Sequence, residues 1–306
     1  MAVAPGKKGM PRGSAYPGSS DDLENYRDLV DSYPDAEVLG ARHEARWLCE
    51  VATSLDGGDF DAALDEPVTE RMVAHIDSMV ARYRTGEPLQ YVLGRWGFRH
   101  LDLTVDRRVL IPRPETELVA ELAIELALTV GPTRAVADLG TGSGAIGLSL
   151  AVELPFEGTS VWITDASDEA LDVARANLTG IGRAAGNVTA AAGDWFDALP
   201  HDRRFDVIVS NPPYVADQSP ELDDAVRDWE PVDALLSGPD GLDDLRRLID
   251  GAPHHLADDG WLVLEIGADQ GAAVRSMLER AGYRDVEVRT DLAGRDRVAS
   301  ARNPVD

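Results

Sequence analysis

Five consecutive residues, Ser210 to Tyr214 (Ser-Asn-Pro-Pro-Tyr), have types and a spacing that could bind a reactive group. They follow residues 205–209, an apolar, β-rich run that predicts a buried strand. Each proline fixes its own φ and has no N–H, so the turn is stiff and offers carbonyl oxygens without competing donors. Asn211 adds a side-chain carbonyl, and Tyr214 adds a flat apolar face with a polar tip.

This combination suits a planar group that bears an NH2, such as the side-chain amide of glutamine or the exocyclic amine of adenine, cytosine or guanine. Its two N–H bonds would point at the side-chain oxygen of Asn211 and the carbonyl oxygen of Pro212, and its plane would lie against Tyr214. Pro213 completes the turn at the carboxyl end of the strand, where open α/β sheets bind ligands. The alternative is a plain proline-rich turn, because short motifs also occur without function.

A second cluster, residues 138–144 (Asp-Leu-Gly-Thr-Gly-Ser-Gly), joins a predicted strand to a predicted helix. Glycines there let a ligand approach the backbone, and the helix N-terminus supplies N–H groups. Such a turn could equally hold a dinucleotide. Two carboxylates favour S-adenosylmethionine: Asp138 suits the ligand's ammonium, directly or through water, and Asp165 suits both ribose hydroxyls. The candidate backbone contacts are Gly140, Thr141, Gly142, Ser143 and Gly144.

Asp194 and Trp195 follow the next predicted strand and would complete this cofactor site. The aspartate could meet the adenine amine and the tryptophan could meet the ring, although Trp195 could also pack in the core, as tryptophan often does. No His or Cys lies near Asn211, so we expect catalysis by positioning and electrostatics rather than by a general base. The acidic stretch 217–228 lacks the pattern and the glycine of a calcium-binding loop, and we expect no metal.

The elements that must position these residues alternate between strand and helix from Arg134 onward. The predicted strands are 135–139, 161–164, 188–192, 205–210, 261–266, 286–290 and 297–301. The predicted helices of this part are 118–129, 145–153, 168–178, 240–256 and 270–281. Such alternation predicts an α/β fold, a mostly parallel sheet with helices on both faces. We expect the last two strands to pair antiparallel, because only a short polar loop joins them.

The region before this alternation predicts helices at residues 42–53 and 69–84, followed by a β-hairpin at 96–105. We therefore divide the chain into a disordered extension at 1–20, a helical domain at 21–86, a hairpin connector at 87–112 and a catalytic domain at 113–306. The extension is rich in Gly, Pro and Ser and lacks the apolar segment of a secretory signal.

Composition narrows the classes of partner. The chain has 306 residues and a formal net charge of −26, from 55 acidic and 29 basic residues. Such a charge disfavours the binding of nucleic acid, whose phosphates must be neutralised by Lys and Arg. A single cysteine, Cys49, excludes an intrachain disulfide and fits a reducing cytoplasm. No apolar run is long enough to cross a membrane.

Together, the residues at 138–144, Asp165 and 211–214 resemble the seven-stranded, Rossmann-like S-adenosylmethionine-dependent methyltransferases, in the subset that methylates amino groups. Four further motifs resemble those of the bacterial release factor glutamine methyltransferases. They are Glu-Pro-Leu-Gln-Tyr at 87–91, Ile-Pro-Arg-Pro-Glu-Thr-Glu at 111–117, Glu-Ile-Gly at 265–267 with Gln270, and Asp-Leu-Ala-Gly-Arg-Asp-Arg at 291–297.

The resemblance implies that residues 140–144, Asp165, Trp195 and Asn211 bind S-adenosylmethionine. It also implies that residues 211–214 bind the glutamine of the Gly-Gly-Gln loop in class 1 peptide chain release factors, and that the helical domain contacts the release factor. We expect a monomeric, cytoplasmic enzyme. Two alternatives stay open: a methyltransferase acting on a nucleic-acid base, either guanine in rRNA or adenine in DNA, and a non-catalytic module that binds the cofactor.

Overall fold

The computed structural model describes residues 25–27, 30, 42–219 and 224–304. The chain divides into two compact units, residues 1–93 and 94–306. The predicted disordered extension at 1–20 lies outside the described residues. Within the described part of the chain, no helix is long and apolar enough to span a bilayer.

The first unit is helical, as predicted. Its described helices are α1 (Arg42–Thr53), α2 (Gly57–Ala62), α3 (Glu70–Tyr83) and α4 (Leu89–Leu93). Helix α3 begins at an N-cap, because the side chain of Thr69 accepts a hydrogen bond from the backbone N–H of Met72. Its buried residues recur at helical spacing and pack against α1 (Val73, Ile76, Met79 and Val80). Helix α2 lies within the region predicted to be a helical domain, although no separate helix was predicted there, and it buries Phe60.

The second unit begins with a hairpin, in which β1 (Arg95–Phe98) pairs antiparallel with β2 (Leu101–Thr104). The prediction treats residues 87–112 as one connector, but residues 87–93 lie in the first unit and the hairpin lies in the second. Leu89 is buried in the core of the first unit. The hairpin is held by Asn177, whose side chain accepts from the backbone N–H of Thr104 at 2.7 Å and donates to its carbonyl at 3.0 Å.

The rest of the second unit is the predicted α/β sheet of seven strands. The strands are β3 (Arg134–Leu139), β4 (Thr159–Asp165), β5 (Val188–Ala192), β6 (Phe205–Ser210), β7 (Leu256–Glu265), β8 (Arg284–Thr290) and β9 (Asp296–Arg302). Their order is β5-β4-β3-β6-β7-β9-β8. The five strands from β3 to β7 run parallel, and β9 pairs antiparallel with both β7 and β8. This arrangement confirms the predicted sheet and its antiparallel end.

The described helices of the second unit are α5 (Thr116–Thr129), α6 (Ala145–Glu153), α7 (Asp168–Gly180), α8 (Asp224–Trp229), α9 (Asp243–Gly251) and α10 (Gly271–Arg280). The helix predicted at 240–256 is shorter than expected. Gly241 has a φ of 72°, a left-handed conformation that delays the helix start. After α9 the chain forms a 3-10 turn, Ala252–His254, that contains Pro253, and β7 then begins at Leu256.

Strand β3 is at the centre of the core, and all six of its residues are buried. Parallel neighbours β4 and β6 flank it, so the chain segments that follow β3, β4 and β6 leave the sheet at the same edge. Those segments begin with residues 140–144, Ala166 and Asn211. The sheet topology therefore brings both predicted clusters together at one edge.

Candidate active site

A pocket of about 620 Å³ opens at this edge of the sheet. Nine of the predicted site residues line it: Gly140, Thr141, Gly142, Ser143, Asp165, Asp194, Trp195, Asn211 and Pro213. Asp138, Gly144, Pro212 and Tyr214 are not among the lining residues. Lining residues that were not predicted include Arg108, Thr116, Glu169, Asp233, Asp244 and Arg247. The two clusters inferred from the sequence thus share one cavity.

The glycine-rich loop between β3 and α6 depends on its glycines. Gly140 has a φ of 69°, which L side chains rarely adopt. A Cβ at Gly140 would also lie 3.0 Å from the ring of Trp195. Gly142, with a φ of 55°, would place a Cβ in open space, so its backbone is accessible from the pocket. The loop can therefore accept a ligand against its main chain, in the way expected of a cofactor site.

Asp165 ends β4 with its carboxylate held by two backbone groups. Its Oδ2 accepts from the N–H of Gly142 at 2.9 Å, and its Oδ1 accepts from the N–H of Ser167 at 2.9 Å. Burial raises the pKa of Asp165, and these hydrogen bonds oppose the shift. A carboxylate in this position retains lone pairs for two further donors, which fits the predicted contact with ribose hydroxyls.

Asp138 occupies a different position from the one expected for a direct ligand contact. It is 1% exposed, and its Oδ2 accepts from the hydroxyl of Thr141 at 2.6 Å and from the N–H of Gly147 at 2.8 Å. Burial raises its pKa to about 7. Asp138 therefore supports the glycine-rich loop from beneath. The water-mediated contact with the ammonium stays a prediction.

Trp195 both lines the pocket and packs against the core of the second unit. Its φ is 50°, and its indole N–H donates to Asp244 Oδ1 at 3.2 Å. The neighbouring Asp194 pairs with Arg247, with 2.5 Å between Oδ2 and the guanidinium. Both partners, Asp244 for Trp195 and Arg247 for Asp194, lie in α9, a helix for which the sequence predicted no role. Trp195 is thus held at the pocket wall from both the loop and the helix.

The Asn211 turn is held by side chains from three distant segments. The Asn211 Nδ2 donates to the hydroxyl of Thr116 at 3.2 Å. The Tyr214 hydroxyl donates to Glu265 Oε1 at 3.1 Å, and the Tyr214 carbonyl accepts from Gln270 Nε2 at 2.9 Å. Thr116, Glu265 and Gln270 all lie in motifs that carry the family resemblance, but their individual roles could not be inferred from spacing.

Glu230 holds the segment that leads into α5. It is 5% exposed, and its carboxylate accepts from the backbone N–H of Ile111 at 3.1 Å and from the guanidinium of Arg113 at 2.5 Å. Thr116, which lines the pocket, follows this segment by a few residues. The two contacts of Glu230 therefore hold the proline-rich segment beside the pocket wall.

We expect Glu230→Ala to lower the free energy of unfolding by about 3 kcal/mol, because the N–H of Ile111 and the charge of Arg113 lose their buried partner. Urea denaturation followed by circular dichroism measures this change. Glu230→Gln is the matched control, since it keeps an acceptor for Ile111, and its loss should be smaller. If both variants unfold like the wild type, the contacts of Glu230 with Ile111 and Arg113 do not stabilise the fold as proposed.

Comparisons with known proteins match this chain to methyltransferases. A family model described as "Methyltransferase small domain" matches residues 118–227, and one described as "PrmC N-terminal domain" matches residues 27–94. A release factor glutamine methyltransferase of Xylella fastidiosa is 46% identical over 240 residues, covering 78% of this chain and 85% of that protein. One of Cereibacter sphaeroides is 40% identical over 282 residues, covering 91% and 97%.

Solved structures show the same fold. A methyltransferase from Pyrococcus furiosus superimposes with a TM-score of 0.50 over 78% of this chain and 100% of its own. Its sequence is 17% identical, so this likeness supports the architecture of the sheet and no finer conclusion.

Proposed function

Because this chain belongs to the family of release factor glutamine methyltransferases, we propose that it methylates the side-chain amide nitrogen (N5) of a glutamine. The substrate residue is the glutamine of the Gly-Gly-Gln motif in class 1 peptide chain release factors, and the methyl donor is S-adenosyl-L-methionine. One observation carries the proposal beyond the family name: the Asn211 turn and the glycine-rich loop line the same pocket.

The cofactor half of the pocket offers the groups that this donor requires. Residues 140–143 line the cavity, and Gly142 has open space beside its backbone. Asp165 has acceptor capacity for the ribose, and Trp195 forms part of the wall. Asp194 keeps lone pairs for an adenine amine even while it pairs with Arg247. When bound, S-adenosylmethionine supplies a methyl group on a positively charged sulfur.

The substrate half acts on an amide nitrogen, which is a poor nucleophile because its lone pair is delocalised into the carbonyl. The Asn211 side-chain oxygen and the Pro212 carbonyl would accept its two N–H bonds and orient the nitrogen toward the methyl group. These oxygens also stabilise the positive charge that develops on the nitrogen, which then loses a proton to water. Burial and the neighbouring Glu265 raise the pKa of Tyr214, so its phenol stays neutral. Tyr214 does not line the pocket, and its contact with the plane of the substrate amide stays a prediction.

A nucleic-acid base is the runner-up substrate, and the charges around the pocket disfavour it. Arg108 pairs with Asp106 at 2.6 Å, and Arg247 pairs with Asp194. Arg107 lies over the ring of Trp229, 5.3 Å from its centroid. Two of these three lining arginines thus have acidic partners, and the whole chain carries a charge of −26, so phosphates would meet little uncompensated positive charge. The proposal includes a monomeric, cytoplasmic enzyme whose helical unit contacts the release factor.

The test is methyl transfer from labelled S-adenosylmethionine to a purified class 1 release factor, beside a factor whose Gly-Gly-Gln glutamine is replaced. We expect label on the first factor and none on the second. Label on neither, with cofactor binding intact, would overturn the proposed substrate. Total RNA would then test the runner-up, and cofactor binding without any transfer would support the non-catalytic alternative.

A further inference from the structure

Asn211 ends a chain of hydrogen bonds that begins at a fully buried carboxylate. Glu265, the last residue of β7, is 0% exposed. Its Oε2 accepts from the hydroxyl of Thr116 at 2.7 Å, and its Oε1 accepts from the hydroxyl of Tyr214 at 3.1 Å. The Thr116 oxygen in turn lies 3.2 Å from Asn211 Nδ2. One carboxylate is therefore joined to both polar side chains of the Asn211 turn.

The direction of these bonds follows from counting hydrogens. A hydroxyl carries a single hydrogen, and an ionised carboxylate carries none. The contact between Thr116 and Glu265 must therefore use the hydrogen of Thr116, which leaves the Thr116 oxygen able only to accept. Asn211 must then present its NH2 to Thr116, and its side-chain oxygen occupies the opposite side of the amide.

We propose that Glu265 and Thr116 are positioning residues, which set the Asn211 amide with its oxygen available to the substrate glutamine. The inference rests on the proposed function and deepens it by assigning a role to the Ile111–Glu117 and Glu265–Gly267 motifs. Without Thr116 or an ionised Glu265, the Asn211 amide can rotate by half a turn and present N–H groups to the substrate. Donors facing donors would repel the substrate NH2.

Two further charges face Glu265 and bear on its protonation. Arg297, in β9, attracts the carboxylate, whereas Glu115, at the start of α5, repels it. Burial has the largest effect and raises the pKa of Glu265 to about 7, against the opposing hydrogen bonds of Thr116 and Tyr214. Glu265 therefore loses its proton near neutral pH, and the orientation of the Asn211 amide depends on that loss.

Thr116→Val keeps the shape of the side chain and removes the hydroxyl. We expect kcat for release factor methylation to fall about 10-fold, the effect of one lost positioning hydrogen bond, with cofactor affinity unchanged. Thr116→Ser should restore the rate because it returns the hydroxyl. Thr129→Val, at the other end of the same helix, is the matched control and should behave as the wild type. Equal rates for the valine and serine variants at position 116 would overturn the inference.

Glu265→Gln separates positioning from structural support. The folded-state pKa lies above the ordinary value of 4.5, so the proton-linked stability is present below pH 4.5 and lost as pH rises through about 7. Removing the buried charge should therefore raise Tm at pH 8 by about 3 °C or more, while kcat falls about 10-fold. The ratio of wild-type to variant rates should rise with pH through about 7. A variant that loses stability and activity together, with a constant ratio, would contradict the assignment.

A substrate-free measurement distinguishes failure of this inference from failure of the proposed function. The side-chain 15N resonance of Asn211, identified by its absence in Asn211→Ala, reports the hydrogen bond to Thr116. We expect it to titrate near pH 7 in the wild type and to lose this titration in Glu265→Gln. An Asn211 signal that is identical in both proteins at every pH would overturn the inference, whether or not the release factor is methylated.

Discussion

Replacing Asn211 by alanine is expected to lower kcat for release factor methylation by about 10²-fold or more, the effect of losing a preorganised acceptor at a developing charge. Asn211 lines the pocket and is anchored through its NH2 to Thr116. The substitution therefore removes the side-chain oxygen that would accept a hydrogen bond from the substrate amide. The measurement is the initial rate of label transfer at saturating S-adenosylmethionine.

A binding measurement and a control variant show whether Asn211→Ala affects the chemical step alone. Cofactor affinity, measured by calorimetry, should change much less than kcat, because residues 140–143 and Asp165 provide the main predicted contacts. Asn187→Ala is the matched control: this amide donates to a backbone carbonyl outside the pocket lining, and its loss should leave transfer unchanged. A wild-type rate for Asn211→Ala would rule out the proposed mechanism.

Replacing Asp165 by alanine is expected to weaken S-adenosylmethionine binding by about 10²-fold. Hydrogen bonds to a charged group contribute about 1.5–3 kcal/mol each, and the carboxylate both accepts from the predicted ribose hydroxyls and holds the N–H of Gly142. The effect should fall on the dissociation constant of the cofactor, measured by calorimetry, and on KM for the cofactor more than on kcat.

Asp165→Asn should lie between the wild type and the alanine variant, because it keeps one oxygen and the approximate shape but loses the charge. Asp172→Ala, an exposed aspartate of the helix after β4, is the matched control and should bind the cofactor normally. An unchanged dissociation constant for Asp165→Ala would contradict the cofactor site as assigned.

Three of the four motifs that resemble those of the release factor glutamine methyltransferases converge on the Asn211 turn. Thr116, Glu265 and Gln270 each form a hydrogen bond with a residue of the Asn211 turn, and Glu265 is also joined to it through Thr116. From the fourth motif, Arg297 lies 3.5 Å from the Tyr214 hydroxyl. The residues that support the predicted chemistry thus come from separate strands and helices, and their common purpose is the geometry of residues 211–214.

The amino-acid sequence determined the elements of this protein and the chemistry of its two clusters. Strands and helices follow from local periodicity, which depends only on neighbouring residues. The helix predicted at 240–256 was too long, because Gly241 and Pro253 interrupt its helical pattern. The stiffness of the Asn211 turn and the conformational freedom of residues 140–144 are likewise properties of the residue types themselves.

Tertiary structure alone decided which distant side chains act together. Thr116 and Glu265 are 149 positions apart, and their contact depends on the strand order β5-β4-β3-β6-β7-β9-β8, which no local pattern encodes. Burial is also a tertiary property: Asp138 has the residue type of a ligand contact, but packing places it beneath the loop. Spacing along a chain predicts neighbours within one element, whereas the hydrogen-bond partners of a buried group depend on how the elements assemble.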